Sequence, residues 1–404
     1  MRMPLLDRAF YLLESARSPQ DFTIIFDVRD APDVDGLEAG ASSAIDRFPV
    51  TGCKVAGGAW VWANRCFKLT VVEGEGRTAI ERFIDEPFDL RRQPPVKQLL
   101  VLNGSGCARL ATRFHHAAAD GLSAARWIGH QLDVAYGLEP HQIERGRLDG
   151  PTLRRSESSV RRSRFAFAGA SDALRTSASQ RSGSRRWATI SFDARELQRA
   201  CRRWRGFTYH DLLATFSLEA IANWNNNCRG GPTKVGLWVP MNVRREAKVG
   251  FGNGTSRVRV YANYDHNTSL LDKCRAVREQ VAWTTKHGEW VVPEFPLFTR
   301  LPNTLAGPLL RHYLNLPQID MATAIFTHAT TGLANSSEAL KHVEGVECVG
   351  LLHPRQKLAI NAATHSGKTW LTLTYDPSLL TSTDIQQLTQ LFSDQIAHAR
   401  RELS

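Results

Sequence analysis

The sequence has no long hydrophobic run, and its first residues do not form a secretory signal. Across 404 residues, no stretch approaches the roughly 20 apolar residues that span a bilayer as a helix, so we expect no transmembrane segment. Arg2, Asp7 and Arg8 interrupt the positions where the apolar core of a signal peptide would lie. We therefore predict a cytoplasmic protein.

Cysteine is scarce, and its spacing excludes several classes of site. The seven cysteines are odd in number and scattered, without a Cys-x-x-Cys pair. This pattern argues against a disulfide framework and against a zinc site, and it is typical of small core residues in a reducing compartment. The cysteines are Cys53, Cys66, Cys107, Cys201, Cys228, Cys274 and Cys348.

The motifs of several enzyme classes are also missing. There is no His-Glu-x-x-His and no Gly-x-Ser-x-Gly, so neither a zinc peptidase nor a covalent serine intermediate has support. The glycine-rich turn at 250–254 precedes a strand-like pattern rather than a helix, which argues against a phosphate cradle. A composition of 42% hydrophobic and 23% charged residues predicts a soluble enzyme with sizeable cores.

The most informative segment contains two adjacent histidines. An alternating apolar stretch predicts a strand over 107–114 that ends at His115 and His116, and a periodic pattern predicts a helix over 121–136. A histidine at a strand end, on a turn of small residues before Asp120, is well placed as a general base. Its unperturbed pKa of about 6.5 leaves the imidazole neutral near pH 7.

The residues alone leave three alternatives open for this segment. The histidine pair could be a solvated turn without function. His115, His116 and Asp120 could ligate a metal ion, although no other ligand cluster is evident. Cys107 could act as a nucleophile, because its strand leads toward the histidines.

The spelling His-His-x-x-x-Asp-Gly resembles the signature of the condensation-domain and CoA-dependent acyltransferase superfamily. The resemblance is nearest to the bacterial wax-ester synthase/diacylglycerol acyltransferases and to stand-alone condensation enzymes. The late Asp-Phe-Gly-Trp-Gly motif of plant BAHD enzymes is missing. Other segments resemble the superfamily in the same order along the chain: Pro4–Glu14, Pro87–Pro95, Gly206–Ala214, Val239–Arg244 and Gly252–Gly254.

The resemblance implies an α/β fold of two chloramphenicol-acetyltransferase-like lobes, arranged as a V-shaped pseudo-dimer with the active site at their interface. We place the N-terminal lobe at 1–150 and the C-terminal lobe at 187–404. A basic crossover at 151–186 joins them, with nine arginines against Glu157 and Asp172. This crossover is either a solvated linker or a docking surface for an acidic carrier protein, CoA phosphates or anionic lipid headgroups.

Periodicity predicts further elements in the C-terminal lobe. Strands are expected over 234–243 and 255–264, and helices over 270–286 and 382–400. A long helix is expected to begin after Thr208, which would cap it. A hairpin is predicted from the two strand-like runs 357–364 and 369–375.

The resemblance also assigns roles to residues. His116 would be the catalytic base, and His115 would pack behind the turn that Gly121 permits. The carboxylate of Asp120 would pair with Arg244 across the two lobes. The segment Ile325–Gly332 resembles the loop that floors the substrate tunnel of these enzymes. The residues expected to line this tunnel are Asn253, Thr327 and His328. No metal site is expected.

The predicted function is transfer of an acyl group from a thioester to an alcohol, with no covalent enzyme intermediate. The donor would be acyl-CoA or an acidic acyl carrier protein carrying phosphopantetheine, and no cofactor would be tightly bound. Two alternatives stay open, which are an amide-forming condensation enzyme with an amine acceptor and a non-catalytic binding member of the fold. We expect a monomer that does not bind nucleic acid, and peripheral contact with a membrane stays open.

Overall fold

The structure is a computed structural model. It describes residues 1–64, 67–74, 76–104, 107–140, 171–176, 178, 180–204, 206–229, 234–244, 251–263, 268–287, 301–316, 322–329, 337–353 and 355–403. Among these residues, every helix is either too short or too polar to pass through a bilayer.

Ten α-helices and β-strands precede residue 140 in the described part of the chain. In chain order they are α1 (Leu5–Leu13), β1 (Asp21–Arg29), α2 (Val34–Arg47), β2 (Cys53–Ala56), β3 (Ala59–Trp62), β4 (Thr70–Glu73), α3 (Gly76–Asp85), β5 (Val96–Leu102), β6 (Cys107–His115) and α4 (Gly121–Ala135). The predicted strand over 107–114 and helix over 121–136 are β6 and α4, within a residue at each end.

The remaining described elements form the second half. They are β7 (Arg186–Asp193), α5 (Arg195–Arg203), α6 (Tyr209–Arg229), β8 (Lys234–Asn242), β9 (Thr255–Asn263), α7 (Leu270–Lys286), α8 (Asn303–Asn315), β10 (Ala324–Ala329), β11 (Val343–Val349), β12 (Leu358–His365), β13 (Lys368–Tyr375) and α9 (Ser382–Leu403). Thr208 caps α6 as predicted, because its hydroxyl accepts a hydrogen bond from the Asp211 amide.

The first sheet has the strand order β11-β1-β6-β5-β4 in the described part of the chain. Its strands alternate, so that Ile24 faces the core beneath α2 and α4 while Ile25 faces a second core beneath α3. Edge strand β11 comes from the second half of the chain and pairs antiparallel with β1. The sequence contains no signal for this exchange, because β11 reads as an ordinary strand of the C-terminal lobe.

The second sheet has the order β7-β13-β12-β10-β8-β9 among the described strands. One face packs under α6, α7 and α9 into a separate core. Alternation in β8 and β9 sends the valines, such as Val239 and Val258, into this core. Trp238 and Arg257 therefore lie on the opposite face, away from the helices.

The basic crossover is not a solvated linker at Leu174 or at Arg185, because both side chains are buried. Leu174 is buried in the second core, and Arg185 is 1% exposed where it bonds both the carboxylate and the carbonyl oxygen of Asp21. Because a buried arginine needs an anionic partner, Arg185 anchors the chain to the first sheet. The expectation of an exposed crossover is wrong at these positions, while residues 151–170 lie outside the described part.

Candidate active site

The turn after β6 fixes the position of His116. The His116 amide donates to Gln20 O at 2.7 Å, and the Ala118 amide donates back to His115 O at 3.0 Å. The next three residues, Ala117–Ala119, are fully buried. Small side chains are required here because the turn is enclosed by the core of the first lobe, so His116 has little freedom to move.

Asn253, from the loop before β9, determines which His116 nitrogen carries the proton. Asn253 Nδ2 donates to Asp7 Oδ1 at 2.9 Å and to His116 O at 2.7 Å, and both of those atoms can only accept. Asn253 Oδ1 therefore faces His116 Nδ1 at 3.0 Å, and Nδ1 must be the donor. In the neutral ring, the lone pair then lies on Nε2.

Aromatic packing completes the surroundings of the His116 ring. Phe10 of α1 stacks on it with the ring centroids 4.0 Å apart, and Phe22 of β1 meets it edge-on at 5.3 Å. Burial lowers the pKa of His116 below the ordinary histidine value, although the charge of Asp120 opposes this. The imidazole is therefore neutral, and able to accept a proton, at neutral pH.

His115 points away from this site. Its Nδ1 accepts a hydrogen bond from the Ala117 amide at 3.0 Å, and its Nε2 lies 3.3 Å from Glu14 Oε2. The ring is fully buried against the edge of Phe88. His115 thus stabilises the back of the turn.

Asp120 and Arg244 form an ion pair between the two halves of the chain. Arg244 Nη2 lies 2.9 Å from Asp120 Oδ1, and both side chains are almost completely buried. Asp120 also accepts hydrogen bonds from the Ser123 amide, the Gly254 amide and the Thr255 hydroxyl. Burial acts to raise the pKa of Asp120, but Arg244 and these donors hold it well below its usual range.

The loop that carries Asn253 packs tightly around Arg244. A Cβ added at Gly254 would lie 2.7 Å from the Arg244 guanidinium, so only glycine fits there. Gly252 has a φ of +133°, which also requires glycine. Ser123 joins this loop to α4, because its hydroxyl donates to Gly252 O at 2.8 Å and accepts from Arg244.

Gly121 does not have the role predicted for it. It is the first residue of α4 and has no positive φ, and a Cβ at this position would meet no atom within 4 Å. Neither backbone conformation nor packing therefore requires glycine in this turn. The N-cap contacts of Asp120 determine the turn instead.

The prediction for 325–332 as a tunnel loop is wrong over 325–329, which belong to β10. His328 points to the helix side of the sheet, where it bonds Thr364 and contacts the rings of Tyr209 and His210. Burial lowers its pKa to about 3. Thr327 alternates to the opposite face, which it shares with Ile325 and Trp238. Residues 330–332 lie outside the described part.

Several contacts at the site were missed from the sequence. Phe10 and Gln20 contact His116, and Asp7 bonds Asn253, from elements that are distant in the chain, so no local pattern indicates these contacts. Cys107 lies exposed at the far end of β6 from His116, which separates it from the reacting region. The described residues include no group of three or more acidic, histidine or cysteine side chains that could hold a metal.

A groove of about 1030 Å³ lies on the other side of α1. Arg8 and Tyr11 of α1 face it, whereas Phe10 of the same helix contacts His116. Arg2 and Arg91 add to its positive charge. One helix therefore lines both this basic groove and the histidine site.

The sequence matches no family model and no curated protein. Solved structures do match over nearly the whole chain. The EpoB NRPS cyclization-docking bidomain from Sorangium cellulosum is 15% identical with a TM-score of 0.67, covering 100% of this chain and 84% of its own. A variant of the starter condensation domain of rhizomide synthetase RzmA, in complex with C8-CoA and Leu-SNAC, is 14% identical with a TM-score of 0.69, covering 98% and 94%.

A third match is an acetyltransferase. The TRI3 trichothecene 15-O-acetyltransferase from Fusarium sporotrichioides is 12% identical with a TM-score of 0.67, and the alignment covers 99% of this chain and 94% of that one. At such low identity the similarity concerns the fold. The chain therefore has the two-lobed, chloramphenicol-acetyltransferase-like fold of the condensation domains and related acyltransferases.

Proposed function

We propose that this protein is an acyltransferase that moves an acyl group from a thioester to the hydroxyl group of a small molecule. One observation carries the proposal. Asn253 holds the His116 proton on Nδ1, and burial keeps the ring neutral, so Nε2 has a free lone pair at neutral pH. Such a nitrogen suits the removal of a proton from an acceptor.

The reaction would proceed in one ternary complex. Nε2 of His116 takes the hydroxyl proton as the acceptor oxygen forms its bond to the thioester carbonyl carbon. The tetrahedral intermediate collapses by breaking the carbon–sulfur bond, and the imidazolium returns the proton to the thiolate. Ester and free thiol are the products, and no residue of the protein is acylated.

The donor is proposed to be acyl-CoA or a phosphopantetheine thioester on an acidic carrier protein. The groove beside α1 supports an anionic donor, because Arg2, Arg8 and Arg91 give it positive charge suited to phosphate groups. The rhizomide synthetase domain is in complex with C8-CoA, which supports the same class of donor.

An amine acceptor is the second candidate. The rhizomide synthetase domain is recorded with Leu-SNAC, whereas the trichothecene enzyme is named as an O-acetyltransferase. Both reactions need the same base, so His116 does not distinguish them. An ester is proposed first, because a neutral alcohol needs a general base more than a free amine does.

Free thiol release from short- to long-chain acyl-CoAs tests the proposal. Each donor is offered with and without mixed alcohols and amines, and the products are identified by mass. Release that depends on the acceptor supports the proposal, and the product mass distinguishes ester from amide. If no thiol is released either from acyl-CoA donors or from donors loaded on a carrier protein, the proposal is refuted.

The pH dependence of kcat/KM gives a second test. Because neutral His116 is the active form and its pKa lies below the ordinary value, we expect activity to persist below pH 6.5. Phe10→Ala should expose the ring to water and move the acid limb upward toward about 6.5. Tyr11→Ala is the matched control on the same helix and should leave the acid limb in place. An unchanged limb in Phe10→Ala would contradict this account.

A further inference from the structure

Arg257 lies on the face of the second sheet opposite α6, α7 and α9. Its guanidinium carbon is 3.7 Å from the centroid of the Trp238 ring, on the neighbouring strand β8. It makes no hydrogen bond or ion pair with any other residue that the structure describes. Burial, reinforced by the charge of Arg259, lowers the pKa of Arg257 to about 10. Arg257 is half-buried, and the described residues give it no anionic partner, so its charge is free to pair with that of a ligand.

Two further polar groups beside Arg257 have no partner. The His353 ring meets the Trp238 ring edge-on at 5.2 Å, and His353 Nδ1 is buried without a hydrogen bond. Trp238 Nε1, which can only donate, is buried without an acceptor. Unsatisfied buried groups are rare in folded proteins and mark places where a ligand or water completes the hydrogen bonding.

His353 connects this cluster to the catalytic histidine. Ser18 Oγ donates to the carbonyl oxygen of Leu352, the residue before His353, at 3.2 Å, and Gln20 Nε2 donates to Ser18. Gln20 O in turn accepts the hydrogen bond from the His116 amide, so the segment that carries His353 lies beside the one that holds His116. A molecule that places its hydroxyl at His116 could extend toward Arg257.

We propose that Arg257 binds a carboxylate of the acceptor, so that the substrates are small hydroxy acids. This inference deepens the proposed function and rests on it. A guanidinium matches a planar carboxylate, and the aromatic face of Trp238 holds the guanidinium in place. The phosphates of CoA are excluded as the partner, because the pantetheine arm separates them from the thioester that reacts at His116.

Calorimetric binding without any donor tests the site independently of turnover. The probes are lactate, mandelate and phenyllactate, each beside its neutral methyl ester. Wild type should bind at least one acid about ten- to a hundredfold more tightly than its ester, as expected for a charge-assisted hydrogen bond. Arg257→Gln should lose that preference, and Arg257→Lys should recover part of it.

Arg259→Gln is the matched control, because Arg259 lies on the same strand and face but is opposite Trp238 in register. It should keep the preference for acids. Equal binding of acids and esters by wild type, or equal losses in both glutamine variants, would overturn the proposal. The partial recovery in Arg257→Lys guards against misfolding of the glutamine variant.

Turnover measurements then distinguish the carboxylate site from the acyltransferase activity. With an active donor, Arg257→Gln should raise KM for the hydroxy acid tenfold or more and leave kinetics with the methyl ester unchanged. A preference for dicarboxylic acyl donors that Arg257→Gln abolishes would instead assign the carboxylate to the donor and overturn the acceptor proposal. Tight binding of an acid without thiol release from any donor would support the site and refute the acyltransferase.

Discussion

His116→Ala should lower kcat by roughly 10²–10⁴-fold, which is the usual contribution of a positioned general base. The fold should be unaffected, because the side chain is only partly buried and it donates one side-chain hydrogen bond, to Asn253. Thiol release under saturating donor and acceptor measures the loss. Circular dichroism of the same preparation checks that the variant is folded.

His328→Asn is the matched control for this loss. His328 is also half-buried, but it contacts Tyr209 and His210 on the helix side of the second sheet. The variant should therefore keep wild-type kcat per folded molecule. If His116→Ala retained most activity, or if His328→Asn lost as much, the assignment of the base would fail.

Asp120→Ala should destabilise the protein by about 3–5 kcal/mol, since it leaves Arg244 buried without its anion. It also removes the acceptor for the Ser123 and Gly254 amides and the Thr255 hydroxyl. The pair joins the two halves of the chain, so activity should fall together with stability. Denaturant unfolding measures the free energy, and an unchanged midpoint would contradict the role of this pair.

The double variant Asp120→Ala/Arg244→Met shows whether the loss of stability in Asp120→Ala comes from the unpaired charge of Arg244 or from the lost contacts of Asp120. Removing both charges should cost less than removing Asp120 alone, because no buried cation is then left unpaired. The pKa of Asp120 lies well below its unfolded value of about 3.9, so its contribution is present above that pH and is lost only in stronger acid. The difference between wild type and Asp120→Ala should therefore be constant from about pH 5 to pH 8.

Local periodicity predicted much of the fold. The helix over 270–286 was predicted residue for residue as α7, and the strands over 234–243 and 255–264 were predicted within one residue as β8 and β9. Each of these elements has a buried face with a regular repeat, which the sequence displays directly. The exchange of β11 could not be predicted in this way, because the same alternation fits either sheet.

The site was predicted less completely, for a related reason. The histidine turn is formed by consecutive residues, so its motif was visible in the sequence. Asn253 was expected to line a tunnel, and its hydrogen bond to His116 was missed, because that contact depends on a loop from the other half of the chain. His328 was expected to approach substrate, whereas the alternation of β10 turns it to the helix side of the second sheet and turns Thr327 to the opposite face. The face to which each side chain points can be assigned only when the bounds of the strand are known. Because 325–332 was predicted as a loop, no such assignment was made.

The contribution of β11 to the first sheet has a consequence for biosynthesis. β1 ends at residue 29 and its partner strand begins at residue 343. At about 5–20 residues per second, the ribosome needs roughly 15–60 s to supply that partner. During this time β1 is an open sheet edge of the nascent chain, where strand-to-strand aggregation begins. The first lobe thus cannot mature until translation is nearly finished, and expression at low temperature with abundant chaperones should raise the yield of folded protein.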